Sequence, residues 1–140
     1  MQKIVINVEW CGSNYSGGYG CPGFGVCVAT GRTWEEFKQE FADAMDFHLE
    51  GMEEEGDPLP QWALDRDYEI EYKMGISALL HRAEQYTTLK AIARASGLKL
   101  SVLKKYASAD VCPRAEQRSR IVEALKKIAT ELQALADSMK

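Results

Sequence analysis

The sequence predicts an α+β chain of two domains: a small antiparallel sheet with one packed helix over residues 1–74, and an all-helical domain over residues 75–140. Three observations carry this expectation. Apolar residues alternate near positions 3–10 and 68–72, which is strand spacing, but recur every three or four residues from 34 to 49 and again throughout the second half, which is helix spacing. Gly75 separates the last alternating stretch from the helical remainder. The charge also changes sign there: residues 1–75 hold 5 Lys/Arg against 15 Asp/Glu, a net of −10, whereas residues 76–140 hold 12 against 6, a net of +6, within an overall −4. A chain divided in this way is expected to meet two partners of opposite charge.

In the acidic half, Ile4, Ile6, Val8 and Trp10 alternate with Lys3, Val5, Asn7 and Glu9, the pattern of a half-buried strand. The following GGYGCPGFG, residues 17–25, contains Gly18, Gly20 and Gly23 at dinucleotide-turn spacing. That motif needs a helix N-terminus after its last glycine, and here an apolar, β-branched stretch through Ala29 continues as strand, so the segment reads as a connecting turn. Thr33 and Glu36 form a capping box. Behind them Trp34, Phe37, Phe41, Ala44, Met45, His48 and Leu49 give a helix with one apolar stripe, which leaves His48 partly buried in a structural role. GMEEEGDPLP, residues 51–60, reads as the helix exit and a loop, and Tyr68, Ile70 and Tyr72 mark a further strand. Strand, strand, helix, strand is a small α+β layer.

In the basic half, residues 76–86 predict a short helix. Thr87 or Thr88 caps a second one, whose inward residues Leu89, Ile92 and Ala93 precede Ser96-Gly97, and Gly97 suits a left-handed helix end. A third helix follows at residues 100–107, with Leu103 and Tyr106 inward and Ser101, Lys104 and Lys105 outward. Two short helices around a Gly-containing turn predict a helix-turn-helix. Pro113 begins the last element, and residues 117–140 carry the seam Ile121, Leu125, Ile128, Leu132 and Leu135. Its later members, Ile128, Leu132 and Leu135, exceed what a small core needs and are candidates for a homodimer or higher homo-oligomer.

The stretch from Ala93 through Gly97-Leu98 to Leu103 and Tyr106 resembles the helix-turn-helix of the phage-repressor-like XRE/Cro family. It departs from the family pattern at Lys99, where a Ser or Asn cap is usual, and at Leu100, where a polar base-reading residue is usual. The resemblance implies that residues 100–106 enter the major groove. Ser101, Val102, Lys104 and Lys105 are then candidates for base and nearby phosphate contacts, and Thr88, Lys90, Lys99, Arg114 and Arg118 for phosphate contacts.

A wider likeness covers nearly the whole chain. Residues 18–25, Ala29-Thr-Gly-Arg-Thr33 with Glu35-Glu36, residues 44–50 and Gly56-Asp-Pro-Leu-Pro60, joined to the C-terminal motif, resemble a HicB-type antitoxin of a bacterial type II toxin–antitoxin pair. The resemblance implies a degraded ribonuclease-H-like first domain that masks a small basic HicA-type mRNA-interferase toxin, and a second domain that represses the operon on operator DNA. It implies no catalytic residue and no cofactor. Charge alone nominates Glu50, Glu53, Glu54 and Glu55 for the toxin contact. The rival expectation is a stand-alone repressor whose first domain senses a ligand.

Other classes have little support. Glu9, Glu36, Asp65 and Asp67 have no spacing that converges them on metal ions, and the four cysteines Cys11, Cys21, Cys27 and Cys112 include no C-x-x-C pair, so no metal site is expected and the thiols read as reduced and mostly buried. No stretch approaches the roughly 20 apolar residues of a membrane span, and the N-terminus runs directly into strand spacing, so a cytoplasmic protein is expected.

Overall fold

The computed structural model describes residues 1–139, which form two compact units, one over Met1–Gly75 and one from Ile76 onward. The first is a four-stranded sheet with one long helix packed on it. Strands β1 (Gln2–Trp10), β2 (Tyr15–Cys21) and β3 (Gly25–Gly31) precede helix α1 (Trp34–Glu54), a single-turn helix α2 (Gln61–Leu64) and strand β4 (Tyr68–Met74). The spatial order is β3-β2-β1-β4.

The expected antiparallel sheet is instead mixed. β1 pairs with β2, and β2 with β3, antiparallel, but β1 and β4 run parallel, with Ile4 opposite Ile70 and Ile6 opposite Tyr72. The connection explains the difference. Two hairpins leave β3 on one edge pointing the same way as β1, and the 21-residue α1 then carries the chain across the sheet and delivers β4 to the other edge in that same direction. A crossover of this length permits parallel pairing, which alternation within the strands does not encode.

The glycine-rich segment is also more ordered than a connecting turn. Gly17, Gly18 and Gly20 lie inside β2, opposite Ala29, Val28 and Val26, and only Pro22, Gly23 and Phe24 turn the chain. Likewise α1 runs on to Glu54, through the Gly51 that the sequence placed in a loop, and α2 interrupts the supposed long exit. Gly31 is fixed by a close approach. A Cβ there would collide with the backbone of Phe37, so only glycine lets the end of β3 lie against the first turn of α1.

The core of this unit is one face of the sheet against one stripe of α1. Ile4, Ile6 and Val8 from β1 meet Phe37, Phe41, Met45 and Leu49, all fully buried. The Thr33 hydroxyl accepts from the Glu36 amide at 3.1 Å, and the Glu36 carboxylate accepts from the Arg32 amide at 3.0 Å, one residue earlier than a standard capping box. Trp34 extends the aromatic cluster, 5.0 Å from Tyr72 and 5.6 Å from Tyr15 between ring centres. His48 is half-buried, and its Nε2–H donates to the Phe24 carbonyl at 2.5 Å, the structural role expected of it.

The second unit contains α3 (Ile76–Ala83), α4 (Leu89–Ser96), α5 (Leu100–Ala107) and α6 (Ala115–Asp137). α3 stops at Ala83, short of the expected Tyr86, which is exposed. Ile76, Leu80, Ile92, Leu103, Tyr106, Ile121 and Ala124 form a single buried cluster with a member from every helix. The Thr88 hydroxyl caps α4 by accepting from the Ala91 amide at 3.0 Å, and Gly97 ends it in the left-handed conformation at φ +76.

Three of the four cysteines are exposed, contrary to the expectation of mostly buried thiols. Cys27 alone faces the core; Cys11, Cys21 and Cys112 sit at strand ends or in loops, where the chain turns at the surface. Burial pushes the Cys27 thiol above its ordinary pKa. No helix among the described residues is long and apolar enough to cross a membrane.

Candidate functional site

The basic residues singled out in the sequence gather on α4, α5 and the start of α6. Packing decides which side chains of α5 reach solvent. Leu103 and Tyr106 are three residues apart on the inward face, so Ser101, Lys104 and Lys105 are left exposed on the outward face. Val102 behaves differently: it is half-buried and packs against the cluster of its own unit, so it supports α5 more than it presents a surface. Lys90 is exposed in the first turn of α4. Thr88, Lys99 and Arg114 occupy the N-cap positions of α4, α5 and α6, and Arg118 is exposed one turn into α6. The Thr88 hydroxyl is engaged in its cap, whereas Lys99 and Arg114 make no side-chain cap bond.

No acidic residue lies in the first turn of α4 or α5. Their unsatisfied amides and partial positive charge therefore add to the lysines rather than being neutralised locally. This arrangement can bind a polyanion by many weak, geometrically tolerant contacts.

Arg120 was not among the expected site residues. Its Nε and Nη2 donate to the Ser96 carbonyl at 3.2 and 3.0 Å, closing the C-terminal end of α4 from α6. A Cβ on Gly97 would come within 2.9 Å of that guanidinium, so Gly97 both reverses the chain and leaves room for the clamp. The run Arg114, Arg118, Arg120 is visible in the sequence, but nothing in its spacing separates the clamp from the other two arginines.

The apolar seam of α6 divides into two parts. Ile121 and Ala124 are buried, while Leu125 and Ile128 are half-buried against the same cluster, so Ile128 belongs to the intramolecular core rather than to a free seam. Leu132 and Leu135, 52% and 68% exposed, extend beyond it. They line a groove between α4 and α6 together with Tyr86, Arg94 and Lys127.

No protein-family model, curated protein or solved structure matches this chain.

On the first unit, Glu50, Glu53 and Glu54 occupy the last turns of α1 and Glu55 its C-cap, all exposed. No basic residue lies in that last turn. Carboxylates at a helix C-terminus face the negative end of its dipole, an arrangement that costs stability. Glu53 departs from the expected free cluster, since its carboxylate is paired with Arg66 at 2.8 Å. The carboxylates weighed for metal chemistry are dispersed: Glu36 is in the α1 cap and Asp65 accepts from Gln61 at 3.1 Å. Among the described residues no group of three or more His, Cys, Asp and Glu side chains converges on a metal position.

Proposed function

We propose that this chain is a HicB-type antitoxin. Its first unit masks a small, basic, RNA-cleaving HicA-type toxin, and its second represses its own operon by binding operator DNA through an XRE/Cro-like helix-turn-helix. The observation that carries this reading is that the change in charge sign falls at the same place as the boundary between the two units, after Gly75. An acidic α+β layer suits a cationic protein, and a basic helical unit suits a nucleic acid.

The two helices α4 and α5, joined by the turn Gly97-Leu98-Lys99, support the helix-turn-helix reading, with α5 in the major groove. The four-stranded layer with one long helix packed on it supports the ribonuclease-H-like reading of the first unit. Neutralisation is by occlusion of the toxin, without chemistry by this chain. Leu132 and Leu135 are the exposed apolar residues through which a second copy joins, placing two recognition helices about 34 Å apart.

The test is recovery of the tagged chain from its own locus with its bound proteins, together with a mobility shift on its promoter. A stoichiometric small basic partner that arrests growth alone, and is neutralised by co-expression of this chain, is the expected result. Recovery of the chain alone, with no growth-arresting neighbour, overturns the antitoxin reading.

A further inference from the structure

The turn between β2 and β3, the end of α1 and the loop after it form a groove of about 430 Å³, lined by Phe24, Phe47, His48, Met52, Glu55, Asp57 and Pro58. Its floor is apolar and fixed. Phe24 and Met52 are buried, and His48 is held by its bond to the Phe24 carbonyl, with the two rings 4.7 Å apart. Its rim is different in kind. Phe47 is 80% exposed, off the inward stripe of Phe37, Phe41, Met45, Leu49 and Met52. Glu55 and Asp57 are exposed on the same groove, and among the described residues neither carboxylate is ion-paired.

An aromatic face beside two unneutralised carboxylates over an apolar floor has a specific complement. It is a cation that is planar, weakly hydrated and carried on an aliphatic stem. We propose that this groove is the anchor pocket for an arginine side chain of the basic protein partner, with the guanidinium against Phe47 and paired to Glu55 and Asp57, and its stem over Met52 and Pro58. The inference rests on the reading of the first unit as the binder of a cationic protein, and deepens it by naming the anchor. The charge complementarity is local as well as global: the groove opens at the acidic end of α1, where no basic side chain lies in the last helical turn. Arginine is favoured over lysine because a hydrated ammonium neither stacks on Phe47 nor bridges two carboxylates in one plane.

The experiment titrates the full chain with a blocked (Arg-Gly)5 peptide and with the same peptide carrying citrulline for arginine, following backbone and side-chain shifts by NMR. Citrulline keeps the shape and removes the charge. The expected result is saturable shifts at Phe47, His48 and Asp57 with the arginine peptide only. Phe47→Ala and Asp57→Asn should each weaken binding about fivefold, while Glu40→Gln, an exposed carboxylate elsewhere on α1, changes it less than twofold. Shifts spread evenly over the acidic surface, equal effects of Glu40→Gln and Asp57→Asn, or no saturable binding overturn the anchor. The proposed function fails separately. If wild-type chain recovers no toxin, the antitoxin reading falls whatever the peptide does; if Phe47→Ala recovers and neutralises the toxin as wild type does, the anchor alone is wrong.

Discussion

The two units solve the same burial problem with different materials, and the difference explains where their charges lie. The first unit closes its core with large aromatic rings on one face of a sheet, Phe37 and Phe41 among them, and leaves the other face open, with Val26 and Val28 largely exposed. The second has a compact, mainly aliphatic cluster with Tyr106 its one ring, to which each helix contributes one or two residues. On an eight-residue helix such as α5, two buried positions with Leu100, Val102 and Ala107 half-buried beside them leave Ser101, Lys104 and Lys105 as the exposed positions, and the lysines share one surface as a direct result. On α1 five residues form the buried stripe, and exposed carboxylates run along the other face from Glu35 onward, with Glu53, Glu54 and Glu55 in succession at the helix end. In the second unit the charged surface follows from packing. In the first it opposes local electrostatics, which is why the end of α1 draws attention as a binding surface.

The most severe way to break the comparison is to remove one core at a time. Phe41→Ala is expected to destabilise the first unit by about 3–5 kcal/mol and Leu103→Ala the second by about 2–5 kcal/mol. Growth rescue should be lost in the former and promoter binding in the latter. If either substitution abolishes only the other unit's activity in a co-expression and mobility-shift pair, the assignment of the two tasks is reversed. A narrower change is Lys104→Glu with Lys105→Glu, which touches no core residue. Promoter affinity should fall at least tenfold, with the slope of log affinity on log salt reduced by about two, while growth rescue persists.

A smaller effect, of about 1 kcal/mol, is expected for Thr88→Ala, because the Ala91 amide loses its cap acceptor. A denaturation midpoint within error of wild type would show that water replaces the hydroxyl there. The smallest effect depends on pH. Burial raises the pKa of Tyr68 and Tyr72 above the ordinary 10.0, and burial together with the bond to Cys21 does so for Tyr19. Their contribution is intact below pH 10.0 and is lost as pH rises through the raised folded values, since the unfolded phenols ionise first. All three belong to the first unit, so a pH series of circular dichroism melts should show its transition falling first above that pH. Loss of the second unit's transition ahead of it would contradict the assignment.

The thiols sharpen the same contrast. Cys27 should react with an alkylating reagent far more slowly than Cys11, Cys21 and Cys112, since it is both buried and held protonated. Equal rates at all four by peptide mass mapping would mean that the β3 face opens readily.

Much of this was readable in the sequence, because it rests on local rules. The alternation Ile4, Ile6, Val8 is the buried face of β1, and Thr33 and Thr88 cap the helices they precede. Gly97 takes the left-handed conformation assigned to it, and Leu103 and Tyr106 point inward while Lys104 and Lys105 do not. Each of these depends on a few neighbouring residues and one periodicity.

What only the tertiary structure decided involves residues distant in the chain. The parallel pairing of β1 with β4 depends on where α1 delivers the chain. The glycines of β2 form a strand because β1 and β3 flank them and supply the hydrogen bonds, although their own propensity argues for a turn. Arg120 became a clamp because Ser96 lies 24 residues away and within 3.2 Å of it. Glu53 found Arg66, and Phe24 met His48, through the same kind of folded proximity. Periodicity settles which face of an element is apolar; which other element covers that face is settled only when the chain closes on itself.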